Sequence, residues 1–87
     1  MTTNVLKNYI RNGKYAWPGG YPQYFVTHDG EALSFEAVRG NYKDVLSATK
    51  YRNNNGWRIV GIDVNWEDEN LYCAHTGNRI ESAYGND

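Results

Sequence analysis

The stretch from Trp57 to Trp66, WRIVGIDVNW, constrains the fold of this chain more than any other. It is rich in the β-branched and aromatic side chains that suit a half-buried pleated surface, so it predicts a central β-strand. Its apolar alternation shifts by one position, because Ile59 lies on one parity and Ile62 on the other. The shift falls at Gly61, and a parity change beside a glycine predicts a β-bulge.

The residues after this strand predict a pair of tight reversals. Residues 67–70 offer charge and turn formers without an apolar anchor, so the chain should reverse there. Residues 71–73 then predict a returning strand, and residues 79–84 predict a last one. Gly77, between them, can supply the positive φ that a tight connection needs.

The first half of the chain predicts two helices and a second hairpin. Residues 1–13 combine a threonine cap, an apolar stripe and a glycine stop, which predicts an N-terminal helix. Residues 24–27 and 31–33 flank an Asp-Gly pair, which predicts a hairpin. Ser34 then caps a predicted main helix whose sheet-facing positions are Val38, Tyr42, Val45, Leu46 and Thr49.

These elements together predict an α+β fold. We expect a small antiparallel sheet of about four or five strands, built from two hairpins and a central strand, with two helices. No linker, repeat or low-complexity tract divides the sequence, so residues 1–87 should form one domain, with residues 85–87 as a loose tail.

Composition restricts the location and the partners. The chain has no apolar run long enough to cross a bilayer, and its N-terminus lacks the apolar stretch of a secretory signal. Its single cysteine excludes an internal disulfide, so we expect a cytoplasmic protein that does not bind membranes. Residues 1–58 hold eight Lys/Arg and four Asp/Glu, whereas residues 59–87 hold one and six, so charges of +4 and −5 make the chain dipolar.

The basic residues near the N-terminus are candidates for nucleic-acid binding. Lys7, Arg11 and Lys14 alternate with tyrosines and a tryptophan, and single-stranded nucleic acid favours cations for phosphate and rings for bases. The three positions are also spaced as one solvated helix face, and three charges are common on any surface. Nucleic-acid binding is therefore an alternative function and not the preferred one.

Three motifs carry a resemblance to a known family. GGYP at residues 19–22, DVNWED at 63–68 and IESAYG at 80–85 resemble a family of small uncharacterised proteins of phages, prophages and plasmids. Weaker matches complete a resemblance that covers about residues 17–85: Trp17, Pro18, Asp29, Gly30, Leu33, Leu71, Cys73, His75 and Gly77.

Many relatives in that family carry two C-x-x-C pairs and so resemble zinc ribbons. When that pattern is aligned with this chain, the four ligand positions correspond to Ser34, Ala37, Cys73 and Thr76, so three of the four cysteines are missing. One thiolate does not hold a structural zinc. The resemblance therefore implies a zinc-ribbon-like fold whose vestigial metal site binds no metal.

Catalytic patterns are weak throughout the sequence. Cys73 and His75 are two residues apart, but no third group is marked to orient them as a nucleophile and its base. The carboxylates of Glu67, Asp68 and Glu69 are more typical of a solvated turn than of an acid–base pair or a magnesium site. We therefore expect no catalytic residues, no cofactor and no metal.

The preferred function is that of a non-enzymatic accessory protein of a phage or mobile element. It would bind a host protein, for example to inhibit a defence system in the manner of an anti-CRISPR protein. The alternatives are the nucleic-acid-binding module above and a sponge that holds a small nucleotide signal with its aromatics. The oligomeric state stays open. The expected partner-binding residues are Trp66, Glu67, Asp68, Glu69, Trp17 and Tyr21.

Overall fold

The computed structural model describes residues 1–84, so the predicted tail at residues 85–87 lies outside the described residues. Three helices and a four-stranded antiparallel sheet confirm the α+β class. No helix within residues 1–84 combines the length and apolarity needed to cross a bilayer. In chain order the elements are α1 (Thr3–Asn12), β1 (Tyr15–Ala16), β2 (Tyr21–Thr27), β3 (Ala32–Leu33), α2 (Phe35–Gly40), α3 (Tyr42–Tyr51) and β4 (Ile59–Val64).

The central strand is β2, since β1, β3 and β4 all pair with it. The prediction that the central strand lies in residues 57–66 was therefore wrong, because β4 pairs with β2 alone. The predicted bulge is confirmed: Val26 pairs with Gly61 and Thr27 with Ile59, so Val60 has no partner in the register. Pro22 has no N–H to donate and lies near the start of β2, where proline is tolerated. Its carbonyl still accepts the Asn65 N–H at 3.0 Å.

The predicted C-terminal strands reduce to a single bridge between Tyr72 and Arg79. The turn between them has the expected geometry, with Gly77 at φ 74°. The chain then leaves this ladder, because the N–H groups of Ala83 and Tyr84 donate to the carbonyls of residues 65 and 66, at 2.8 and 2.7 Å. The last segment is therefore held beside the end of β4 and does not extend a hairpin.

The N-terminal helix is confirmed, whereas the predicted main helix is two helices. The Ser34 hydroxyl caps α2 by accepting the Ala37 N–H at 3.1 Å, as expected. Asn41 then ends α2, because its φ of −124° and ψ of 36° lie outside the helical region, and its side-chain Nδ2 donates to the Ala37 carbonyl at 2.9 Å. The backbone N–H of Asn41 still makes the helical bond to the Ala37 carbonyl at 3.1 Å, so its side chain shares that acceptor, and α3 begins at the next residue, Tyr42.

The core lies between the helices and β2. The rings of Phe25 and Phe35 have centroids 4.4 Å apart, which joins the central strand to α2. Each helix contributes buried side chains to this core. Its largest members are Leu6, Ile10, Phe25, Leu33, Phe35, Val38, Val45, Ile59, Cys73 and Ile80.

One polar residue, Asn65, is buried where β4 ends. The residue is 3% exposed, and its side chain makes three hydrogen bonds. Nδ2 donates to the carbonyls of Asp68 and Ile80 at 3.0 and 3.1 Å, and Oδ1 accepts the Asp68 N–H at 3.1 Å. This amide therefore joins β4, the turn that follows and the C-terminal segment.

We expect Asn65→Ala to lower the free energy of unfolding by about 2–4 kcal/mol, because it leaves buried backbone groups without partners. Urea unfolding followed by circular dichroism measures the change. Asn53→Ala, on an exposed loop side chain, is the matched control and should stay within about 0.5 kcal/mol of the parent. Equal effects of the two substitutions would contradict this role for Asn65.

Candidate functional site

The rings of Tyr21, Trp66 and Tyr84 contact one another, and the exposed Trp17 lies on the turn that leads into Tyr21; we call these four side chains the aromatic surface. The ring centroids of Tyr21 and Trp66 are 4.7 Å apart, and those of Trp66 and Tyr84 are 6.4 Å apart with planes 14° from parallel. A hydrogen bond with Tyr21 raises the pKa of the Tyr84 hydroxyl, so all three rings are linked. Trp17, Trp66 and Tyr84 are 78%, 48% and 59% exposed, whereas Tyr21 is half-buried.

A glycine pair allows the first two rings to lie where they do. Gly19 and Gly20 have φ values of 112° and 67°, in the region that side chains disfavour. The Tyr21 ring lies so close to Gly19 that a Cβ there would overlap it, and the Trp17 ring would be 3.4 Å from a Cβ on Gly20. The GGYP sequence thus fixes a turn on which two aromatic rings pack against backbone.

The other two rings are positioned by backbone pairing. Trp66 follows the buried Asn65 directly, and its carbonyl accepts the Tyr84 N–H at 2.7 Å. The Ala83 N–H donates to the Asn65 carbonyl at 2.8 Å, so two consecutive bonds hold the C-terminal segment against the end of β4. The aromatic surface is therefore carried by ordered backbone although its rings are exposed.

Carboxylates follow Trp66 immediately. Glu67, Asp68 and Glu69 are exposed, and an Asp68 carboxylate oxygen accepts the Asn70 N–H at 2.9 Å. Burial raises the pKa of the Tyr24 hydroxyl, and the charges of Asp63 and Asp68 raise it further. In the described part of the chain no lysine or arginine forms an ion pair with Asp63, Glu67 or Asp68. Arg79 Nε donates to the Glu69 carbonyl at 2.9 Å, so one cation lies against this turn, and the carboxylates of Asp63, Glu67 and Asp68 leave it with net negative charge.

The predicted basic face on α1 is weaker than its sequence indicated. Lys14 lies between two carboxylates, with its Nζ 3.6 Å from Glu36 and 3.7 Å from Glu81. Burial lowers the pKa of Lys14, but the neighbouring negative charges outweigh it and the net pKa is raised. Lys7 and Arg11 remain exposed on the helix. Only two of the three predicted cations are therefore available to a phosphate backbone.

The four vestigial metal positions lie in two neighbouring segments. The Ser34 N–H donates to the Cys73 sulfur at 3.4 Å, and backbone and side-chain groups of Thr76 also interact with that sulfur. Ala37 follows one helical turn after Ser34 and donates its N–H to the Ser34 hydroxyl. One thiol, two hydroxyls and a methyl group do not fit a structural zinc. Residues 1–84 hold no cluster of three or more metal-binding side chains of the His, Cys, Asp and Glu types.

The environment of Cys73 favours its thiolate. Its side chain is 2% exposed, and burial raises the pKa of the thiol. The backbone and hydroxyl groups of Ser34 and Thr76 outweigh burial and lower the pKa from 9.0 to about 7. His75 is not part of this arrangement, because its ring packs edge-on against Trp57 with centroids 4.7 Å apart.

A cavity of about 470 Å³ adjoins these positions and includes Ser34 and Thr76 in its wall. Lys14, Arg79, Glu36 and Glu81 also line it, so its charged side chains sum to zero, and Lys14 is paired with both carboxylates. Such a groove offers little net charge to a ligand, so the aromatic surface is the stronger candidate site.

Comparisons with family models, with curated proteins and with solved structures find no match to this chain. The candidate site therefore depends on geometry. Sequence reasoning named Trp17, Tyr21 and Trp66 but missed Tyr84, which belongs to the IESAYG motif and lies 18 positions beyond Trp66. The IESAYG motif was the one sequence feature that pointed to Tyr84.

The pKa of Cys73 predicts a pH dependence of stability. Because the folded pKa lies below the unfolded one, the thiolate stabilises the fold above the unfolded pKa, and this contribution is lost as the pH falls through about 7. Urea midpoints measured from about pH 6 to pH 9 should therefore rise with pH relative to those of Cys73→Ala. Parallel curves for the two proteins would show that the thiol does not titrate in this way.

Restoring three cysteines should create a zinc site. In the variant Ser34→Cys, Ala37→Cys, Thr76→Cys, we expect one zinc per chain by metal analysis, because Ser34 and Thr76 already contact Cys73. Stabilisation of ~2 kcal/mol by the metal raises the Tm by roughly 10 °C in a domain of this size, and a chelator should reverse it. Thr76→Cys alone, with two thiols, is the control. A triple variant that binds no zinc would contradict the convergence of the four positions.

Proposed function

We propose that this chain is a non-enzymatic binding protein that docks on another protein through the aromatic surface. The supporting observation is the exposure of Trp66 and Tyr84 on backbone that is itself held by hydrogen bonds, together with the exposed Trp17 on the glycine turn. Tryptophan and tyrosine are enriched among the residues that dominate protein–protein binding energies. A rigid array of such rings loses little conformational entropy when a partner covers it.

The surrounding charge favours a partner with a basic surface. Asp63, Glu67 and Asp68 have no cationic partner within residues 1–84, and residues 59–87 carry a net charge of −5. Complementary charges at the rim of an interface raise the association rate and exclude wrong partners. The rings then supply the buried centre of the interface and the carboxylates its rim.

The resemblance to small phage, prophage and plasmid proteins makes a host protein the partner to test first. A component of a defence system, such as a CRISPR effector, fits this chemistry, because proteins that hold nucleic acid expose basic surfaces. Covering such a surface inhibits the partner by occupancy alone, which requires no catalytic group on the inhibitor.

The charges support a protein partner over nucleic acid. Lys14 is paired with Glu36 and Glu81, which leaves Lys7 and Arg11 as the exposed cations of the predicted basic face. The carboxylates beside the aromatic surface would repel phosphates, although its rings could stack on bases.

The test is affinity capture from host lysate with and without nuclease, followed by affinity measurement on each purified partner. Trp66→Ser should weaken binding about 30-fold, the effect of losing a central anchor worth ~2 kcal/mol. Tyr51→Ser removes a ring that is 66% exposed on α3 and is the control, expected to bind like the parent. Circular dichroism checks that each variant is folded.

The competing function has its own signature in the same experiment. Reversal of Lys7 and Arg11 to glutamate should leave the captured complex intact if a protein is the partner. Recovery of nucleic acid alone, lost on that reversal and weakened steeply by salt, would replace the proposed function with nucleic-acid binding.

A further inference from the structure

We infer that the group recognised by the aromatic surface is a guanidinium, so that the partner inserts an arginine side chain between these rings and the neighbouring carboxylates. This inference rests on the proposed function for the location of the binding surface, and it adds the chemical class of the bound group.

The rings of the aromatic surface have no cation of their own. Lys14 lies over the Tyr15 ring at 5.3 Å and Lys50 over the Tyr51 ring at 5.2 Å, so two other tyrosines are paired within the chain. No lysine or arginine of residues 1–84 lies over Trp66 or Tyr84. A tryptophan ring is the most favourable aromatic site for a cation, and Trp66, although it contacts Tyr21 and Tyr84, is 48% exposed.

The carboxylates select the sign of the ligand. Glu67 and Asp68 follow Trp66 in the chain, and neither forms an ion pair within the described residues. The charges of Asp63 and Asp68 act together on the Tyr24 hydroxyl, so both lie close to the same strand end. A cation over Trp66 gains from this field, whereas the phosphate of a nucleotide is repelled by it.

The geometry of the rings favours a planar cation over a compact one. The planes of Trp66 and Tyr84 are 14° from parallel, so a flat group that stacks on one is also nearly parallel to the other. A guanidinium is planar, is less strongly hydrated than an ammonium and can donate two parallel hydrogen bonds to one carboxylate. An arginine therefore uses both the rings and the carboxylates, whereas a lysine uses mainly the charge.

Three short glycine–serine peptides, identical except that two positions carry arginine, lysine or citrulline, test this chemistry directly. Binding is followed at low salt by NMR through the indole N–H signals of Trp17, Trp57 and Trp66. The arginine peptide should bind about 3–10-fold more tightly than the lysine peptide and at least about 10-fold more tightly than neutral citrulline. The shifts should be largest at Trp66, with Trp57, which packs on His75, as the internal control.

Two variants separate the contributions of ring and charge. Trp66→Leu keeps an apolar side chain but removes the π face, and should weaken arginine-peptide binding about 5–20-fold, whereas Trp66→Phe should retain most of it. Glu67→Gln should weaken binding about 2–5-fold at low salt and little at high salt. Circular dichroism confirms that these exposed substitutions leave the fold intact.

Equal affinity for the arginine and citrulline peptides, or shifts confined to Trp57, would overturn the inference. This result is distinct from failure of the docking function. If Trp66→Ser abolishes capture of a protein partner while the peptides show no preference for arginine, the surface docks proteins by another chemistry. If arginine is preferred but capture is insensitive to Trp66, the ligand chemistry stands and the docking function fails.

Discussion

The buried amide of Asn65 holds together the part of the molecule on which the candidate site is built. It bonds to the backbone of the acidic turn and to the Ile80 carbonyl, so β4, the turn and the C-terminal segment share one polar centre. A buried amide that uses both its donor and its acceptor stabilises one arrangement and penalises others. Trp66 and Tyr84 owe their proximity to this arrangement, because their backbones pair just beyond it.

Local sequence signals predicted the local structure well. The caps of α1 and α2, the Asp-Gly hairpin and the bulge beside Gly61 all follow from the preferences of a few neighbouring residues. The central position of β2 did not follow, because it depends on pairing with strands that are distant in sequence. The break at Asn41 was also missed, since an apolar period continues through it and the break lies in the non-helical backbone angles of that one residue.

The candidate site shows the same contrast between local features, which the sequence predicted, and long-range contacts, which it did not. Sequence chemistry named Tyr21 and Trp66 as candidate partner-binding residues, but their contact joins residues 45 positions apart and appears only in the fold. The ion pairs of Lys14 with Glu36 and Glu81 likewise join separate segments, so charge counting overestimated the basic face. Charged and aromatic residues can be identified one by one in the sequence. Which charges form ion pairs and which rings contact one another depends on the tertiary structure.

The glycine turn beneath Tyr21 divides the surface into a fixed part and a variable part. A side chain at Gly19 would displace the ring above it, so substitutions there disturb the whole array. The exposed Glu67, by contrast, tolerates substitution at little cost in stability. Adaptation to a changing partner would therefore proceed by exchanging charges around an inherited set of rings, and divergent descendants should keep the turn while their acidic positions vary.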